Sequence, residues 1–323
     1  MQTPKSSVSL IRAKSYEQDA LKESLETLLE PLGGIAPFVK PGNHVLLKPN
    51  LLTSSRPTKE CTTRPELVRA VAEMVIASGG KPFLGDSPAF GSAKGVAIAN
   101  GLLSILEELN IPIVEFNGNR YQTVNDNFNH LLLSKEAMEA DVIINLPKVK
   151  SHAQLTVTLG VKNLFGCVPG KMKAWWHFEA GKDAKRFGEM LVETARAINP
   201  SLTILDGIIG HEGNGPSGGE PRNLGILAAS ANVFALDRAM LEVLQLSPEQ
   251  VPTVAASQRL GICPELTDIE FPNLSPDLLQ ITDWQLPETL MPIDFAMPRV
   301  ITSTFRHLYI RFIKEPMSAY GKG

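Results

Sequence analysis

Apolar and polar positions along this chain fall into blocks that switch between the strand period of two and the helical period of 3.6. Val8 to Ala13 reads as a first strand. Tyr16 to Glu30 reads as a helix, with Ala20, Leu21, Leu25, Leu28 and Leu29 at helical spacing and Pro31, Gly33 and Gly34 stopping it. Val45-Leu46-Leu47 is a second strand ending in Lys48-Pro49-Asn50, and the polar loop after it has a length typical of functional loops. Thr62 or Thr63 then caps a helix with Pro65 in its first turn and Glu66 placed favourably for its dipole, running to about Ser78 and closing at Gly79-Gly80. Lys81 to Leu84 is a third strand, ended by Gly85-Asp86-Ser87-Pro88. A helix over Lys94 to Asn110 and a strand over Ile111 to Phe116 follow.

The stretch from Asp141 to Phe178 is the densest in chemistry. Asp141 to Leu146 is a short apolar run rich in β-branched residues, ended by Pro147, as expected of a buried strand in a parallel sheet. Lys148, Lys150, Ser151 and His152 crowd the end of that strand, and Lys162 and His177 follow. Between residues 117 and 129 the chain is polar and turn-rich, and Leu131–Leu133 offers an antiparallel strand.

Beyond the central stretch, Phe187–Ile198 reads as a helix and Leu202–Asp206 as a strand that leads into the most glycine-rich loop of the chain. Leu224–Ala229 is a strand, and Val233–Leu246 and Thr253–Leu260 are helices. From Pro264 the chain is proline-spaced, with a strand at Asp268–Phe271 and a last helix from Val300 to Lys314. Strands and helices alternate, so the expected fold is α/β: a largely parallel sheet covered by helices, with the site at the strand carboxyl ends. Residues 1–299 would form one catalytic unit with lobes 1–150 and 151–299. Residues 300–323 would form an amphipathic basic tail, in which Ile301, Phe305, Leu308, Tyr309 and Phe312 recur at helical spacing and which can dock on its own core, on a partner or on an anionic membrane surface, in that order of preference.

Composition narrows the function classes. With 323 residues, 43% hydrophobic and 20% charged, the chain can build a large core. A net charge of -3 argues against nucleic acid as main partner. No apolar run reaches the roughly 18 residues of a membrane span, and the first residues lack the apolar core of a signal peptide, so no membrane and a cytoplasmic address are expected. Cys61, Cys167 and Cys263 lie far apart, which fits neither a disulfide framework nor a CxxC metal site.

The runs L-P-K-V-K-S-H at 146–152 and G-V-K-N-L-F-G-C-V-P-G at 160–170 resemble the bacterial and archaeal proteins grouped as domain of unknown function, family 362. L-L-K-P-N at 46–50, G-D-S-P at 85–88 and E-G-N-G-P-S-G-G at 212–219 match as well, and the likeness extends from about Val45 to about Leu241. Many members of that family continue into a ferredoxin-like segment. Here three distant cysteines cannot ligate a cluster that takes four thiolates, so no iron-sulfur cluster of the chain's own is expected. A second similarity is to the nickel-pincer lactate racemases. His152, Lys162 and His177 match that family's His, Lys and second His, with Pro169-Gly170 as the turn and Thr63-Arg64-Pro65 as its T-R-P. This resemblance implies a nickel-type divalent metal and isomerisation or hydride chemistry on a hydroxy acid. The catalytic His that those racemases carry in an earlier loop is missing from G-D-S-P-A-F-G-S-A-K-G, so a two-histidine proton relay is not supported.

Each candidate residue has a functional and a bland reading. Lys162 lies in the largely apolar segment T-L-G-V-K-N-L-F-G, where burial would lower its pKa toward that of a nucleophile or covalent anchor; otherwise it snorkels from a short helix. His152 can move a proton near neutral pH and His177 can ligate a metal, although a lone His is more often structural. Gly213, Gly215, Gly218 and Gly219 can bring backbone N–H groups to an anion, or simply shape a wide turn. Asp206, His211 and Glu212 flank that loop with metal-ligand chemistry or as solvated edge residues, and Asp86 and Ser87 read as an N-cap or as groups orienting a substrate. Trp175, Trp176 and Phe178 beside His177 suit a pocket wall or the core.

Lys162, His152 and His177 are expected to converge on one pocket, with Lys48, Arg64 and the 213–219 loop on its rim and a positive field suited to a carboxylate or phosphate. The leading expectation is an enzyme binding an anionic small molecule or a metal-bearing cofactor. The other class is a non-catalytic carrier or scaffold holding a metal or cofactor for an electron-transfer protein partner.

Overall fold

The computed structural model describes residues 5–116, 118–122, 128, 131–170, 173 and 183–291. Its centre is a parallel array of β3 (His44–Pro49), β4 (Lys81–Asp86), β5 (Ile113–Glu115) and β8 (Val142–Leu146), in the order β8-β3-β4-β5. β8 pairs in parallel with β11 (Leu202–Glu212), and after Pro147 the chain resumes as β9 (Lys148–His152), which also pairs in parallel with β11. β9 turns back antiparallel into β10 (Thr156–Thr158). β11 turns back into β12 (Glu220–Ser230), which receives β2 (Ser9–Arg12) on its far side. The largely parallel α/β sheet expected from the alternation of elements is therefore present.

Side chains alternate across this sheet. Val45, Leu47, Ile144 and Leu146 join one apolar layer with Leu21, Leu25 and Leu28 of α1 (Gln18–Leu29) and Val68, Val71 and Val75 of α2 (Pro65–Ala77). Leu46 and Ile143 face the other way, against Phe187, Met190 and Leu191 of a helix at Ala184–Ile198. A third apolar group seats the helix Val233–Val243 on Val149, Leu205 and Ile226. The single sheet runs through both halves of the chain and position 150 falls inside β9, so the proposed 1–150 and 151–299 lobes share one sheet.

Several boundaries differ from the sequence reading for local reasons. The helix expected over 94–110 is two helices, Ala93–Ala99 and Leu102–Glu108, because Gly101 adopts the left-handed region at φ 80° between them. Neither Thr62 nor Thr63 caps α2. Arg64 occupies the N-cap, and the Thr63 hydroxyl bonds the Leu146 carbonyl at 2.6 Å, tying this loop to β8. β7 (Leu131–Ser134) pairs with β6 (Asn119–Gln122) in a separate antiparallel ribbon, and the short β1 (Ser6–Ser7) pairs in parallel with Ile269–Glu270. The tail helix at 300–314 lies outside the described residues.

One close approach holds the second helical layer together: a methyl group on Gly188 would sit 2.4 Å from the Pro252 carbonyl oxygen. Overpacked sites of this kind cost about 1–3 kcal/mol. Gly188→Ala is expected to lower stability by that amount in urea denaturation, and an unchanged midpoint would show that the two helices can separate freely.

Candidate functional site

The candidate site grows from the point where the β8 run ends. In a strand, alternate side chains share a face, so Lys148, Lys150 and His152 of β9 point one way while Val149 enters the apolar core on the other. Parallel registry sets Lys148 beside Asp206 and Lys150 beside His211 of β11, and sets Lys48 of β3 beside Asn145 of β8. Lys48, Lys148 and Lys150 are all fully buried. Lys48 therefore belongs to the interior of the site and not to its rim.

Two of these lysines are neutralised. Lys48 Nζ lies 2.8 Å from Asp86 Oδ1 and donates to the Pro49 carbonyl. Asp86 is held in turn by the Leu51 and Ser87 N–H groups, so Asp86 is an ion-pair partner and not the N-cap expected of it. Lys148 Nζ donates to Glu60 Oε2 at 2.9 Å, to Asp206 Oδ2 at 3.1 Å and to the Tyr16 hydroxyl at 3.0 Å. Tyr16 donates to Asp206, and burial followed by that carboxylate raises its pKa well above 10.0. Arg64 faces Glu60 Oε1 at 2.9 Å, lies over the Tyr16 ring and gives its backbone N–H to Asp206. It is a brace for this cluster, and Asp206 is an ion-pair member.

Among the described residues the other lysines of the cluster, Lys150, Lys162 and Lys173, form no ion pair, and Asp86 favours their protonated forms only from a distance. Lys150 Nζ donates to Asn50 Oδ1 at 2.5 Å and to the Cys61 carbonyl at 2.7 Å, both neutral acceptors. Burial pushes its amine down to about 7. Lys162, half-buried, lies 4.5 Å from the centre of the Phe165 ring, and its Nζ has no hydrogen-bond partner among the described residues. Burial first, then the neighbouring Lys173, Lys150 and Lys48, hold it at about 7. Lys173 stands over the same ring at 5.9 Å, donates to the Ser87 carbonyl and is lowered by burial to about 8.

An amide ladder fixes these groups. Asn50 donates to Asn163, Asn163 donates to Asn145 and to the Lys48 carbonyl, and Asn145 donates to the Gly160 carbonyl. Lys162 stands on a short helix, Gly160–Asn163, whose first N–H groups are bound by Asp237 at 2.7 and 3.0 Å. Asp237 is fully enclosed, and burial raises its carboxyl to about 7.

The remaining expected residues lie differently. The Gly213 N–H goes to the Gln285 carbonyl, that of Gly215 to Gly213 O and Ser151 Oγ, and that of Gly219 to His211 Nε2. Together with Gly218 they form the tip of the β11–β12 hairpin, where added methyl groups at Gly215, Gly218 and Gly219 would meet backbone oxygens within 3 Å. Close packing accounts for Gly215, Gly218 and Gly219, and a left-handed φ of 78° for Gly213. His211 is fully buried and burial lowers it to about 4, so it stays neutral. Glu212 accepts the Gln285 N–H and faces Arg222. His152, half-buried at the end of β9, accepts the Gln154 N–H on Nδ1. His177 and its aromatic neighbours Trp175, Trp176 and Phe178 lie outside the described residues. Among the described residues no three His, Cys, Asp or Glu side chains could hold a metal ion together. A separate cleft of about 500 Å³ opens at the opposite, amino-terminal edge of the sheet, by His44, Lys81 and Phe83, away from the lysines.

The residues of this site that were not singled out from sequence are Tyr16, Glu60, Lys173 and Asp237, and Lys148 and Lys150 are marked there at the strand end without a role. For these last two a signal was available: K-V-K-S-H alternates like a strand, and lysines two apart on a buried strand must share one interior face.

Removing Lys148 leaves Glu60 and Asp206 buried without their cation, so Lys148→Met is expected to cost about 3–5 kcal/mol. Lys162→Met removes a poorly solvated amine and is expected to leave stability unchanged or raise it, as read by urea denaturation. A second expectation concerns pH. Unfolded lysines hold their protons up to about 10.5, while folded Lys150 and Lys162 release theirs near 7. Between these values the unfolded chain binds more protons, so stability rises with pH. Urea midpoints taken from pH 7 to 9.5 should show that rise, and it should be flatter in Lys150→Met and Lys162→Met.

Comparison with known proteins places the chain. Residues 45–242 match the family described as "Domain of unknown function (DUF362)". The chain is 66% identical over 314 residues to the "Thylakoid-associated protein sll1697" of Synechocystis sp., an alignment covering 97% of this chain and 98% of that protein. Among solved structures it is similar to the lactate racemase apoprotein from Thermoanaerobacterium thermosaccharolyticum, with a TM-score of 0.47 and 16% identity over 70% of this chain and 54% of that one. The chain thus spans about half the racemase's length, and a likeness at this level does not bear on activity. With the family match extending over more than half of it and a relative aligned along nearly its whole length, the chain belongs to the family "Domain of unknown function (DUF362)".

Proposed function

We propose that the carboxyl-terminal edge of the sheet binds an anionic small molecule and that Lys162 is the group that anchors it or acts on it. The observation that carries this reading is the uneven pairing of the lysines. Lys48 and Lys148 have carboxylates, whereas Lys150 and Lys173 meet only neutral oxygens and Lys162 meets none among the described residues. Cations left without counter-charges in a poorly solvated place create a field that an anion would neutralise. Small carboxylates, hydroxy acids among them, and small phosphates meet that requirement. His152, two residues beyond Lys150 on the same face of β9, is the candidate proton carrier.

Among the described residues a nickel-type cofactor or other divalent metal finds amines and already paired carboxylates and not a ligand set, and His177 lies outside them. For location, the thylakoid-associated relative suggests association with the thylakoid for this chain too. Among the described residues no helix is long and apolar enough to cross a membrane.

The test is a thermal-shift panel of small carboxylates, hydroxy acids and phosphates on the full chain. A ligand at a hundred times its dissociation constant adds about 2.7 kcal/mol and raises Tm by several degrees. At least one panel member should do this, and Lys162→Met should remove the shift without lowering the ligand-free Tm. A panel without any shift, or a shift retained in Lys162→Met, rules the reading out.

A further inference from the structure

The surroundings of Lys162 differ from those of every other lysine in the cluster. Lys48, Lys148 and Lys150 are enclosed and their amines are engaged by oxygens, whereas Lys162 is half-buried and, among the described residues, its Nζ has no hydrogen-bond acceptor and lies over the face of Phe165. A second amine, Lys173, lies over the same ring. Its position is fixed from behind, because Asp237 binds the N–H groups of Gly160 and Val161 and Asn145 holds the Gly160 carbonyl. An amine so placed is reachable, rigidly presented and unoccupied by an acceptor, which are the conditions for nucleophilic attack.

We propose that Lys162 forms an imine with a small carbonyl compound that also bears an acid group, with Lys173, over the same ring, as the cation that holds the acid. The proposal rests on the anion-binding reading above and adds the reactive carbonyl to it. The neutral Nζ attacks the carbonyl carbon, forming a C–N bond. One nitrogen proton moves to the former carbonyl oxygen, and the resulting carbinolamine loses water to leave the C=N bond. No oxidant or reductant enters. The step needs an unprotonated amine, and burial together with the neighbouring lysines supplies one: at about 7, Lys162 is half neutral at pH 7, where an ordinary lysine is neutral about once in a few thousand molecules. Other groups facing it act in the same sense, Lys173, Lys150 and Lys48 lowering its proton affinity against the opposing effect of Asp86.

The experiment is reductive trapping on the full chain. Protein is incubated with glyoxylate, pyruvate or glycolaldehyde phosphate at pH 7, reduced with borohydride and weighed intact, then mapped by peptide mass. The expected result is a single adduct, equal in mass to the acid less one oxygen atom, on Lys162 and absent from Lys162→Met and Lys162→Arg, both checked for an unchanged melting curve. Lys173→Met should still be trapped, but at a half-saturating concentration raised roughly tenfold by loss of one charge contact. Adducts scattered over exposed lysines, or an adduct that survives in Lys162→Met, overturn the proposal. So does the lack of any adduct. In that last case a thermal shift that still depends on Lys162 would leave the anion-binding reading standing, and its loss would remove both.

Discussion

The structure depends on one constraint: Lys148 is fully buried, and an ammonium group in such a place survives only if carboxylates and other acceptors surround it. Its partners come from across the chain. Tyr16 precedes α1, Glu60 sits in the loop between β3 and α2, and Asp206 lies on β11. Satisfying one amine therefore draws the N-terminal segment, the long polar loop and the middle of the sheet to a single point. Glu60 even holds a left-handed backbone conformation, φ 51°, a cost that a non-glycine residue bears only when its surroundings over-determine it. Arg64 completes the balance by bracing Glu60 on one side and stacking on Tyr16 on the other.

Against this neutralised background the other amines stand out. Lys48 is matched by Asp86 within one layer of the same sheet, whereas among the described residues no carboxylate forms an ion pair with Lys150, Lys162 or Lys173, which Asp86 influences only from a distance. A fold that can pair two buried lysines so completely has the means to pair more. Leaving three cations together, at mutual electrostatic expense, lowers the stability of the protein near neutral pH, and such local disagreement with folding rules is where functional sites are found. Asp237 fits the same pattern, since burial of its carboxyl is compensated only by the two N–H groups of the helix that carries Lys162.

How much of this was legible in the sequence follows from the range of the forces involved. The order of strands and helices is local, set by alternation, β-branched runs, prolines and glycines, and so α1, α2, β3, β4 and β8 fall close to where the pattern puts them. Lys162 and Lys48 also stand out, as charges in apolar runs. The ion-pair partners do not, because nothing near Glu60 or Tyr16 in sequence refers to Lys148, 88 and 132 residues away. The glycine-rich loop misleads for a related reason: glycines that admit an anion and glycines that admit a neighbouring backbone have the same composition, and only the positions of Ser151, Glu212 and Gln285 separate the two.

The break at Pro147 turns these pairings into a site. A continuous β8 would carry its apolar alternation onward, and the lysines after it would have to leave the sheet. Instead Pro147 gives its carbonyl to the Asp206 N–H, and the chain restarts as β9 against the same neighbour, β11. The restart places Lys148 level with Asp206 and Lys150 one step further out, level with the neutral His211. Moving along β9 is thus moving from a paired cation to an unpaired one, and then to His152 at the margin. The charge imbalance that defines the site is built into the registry of one short strand.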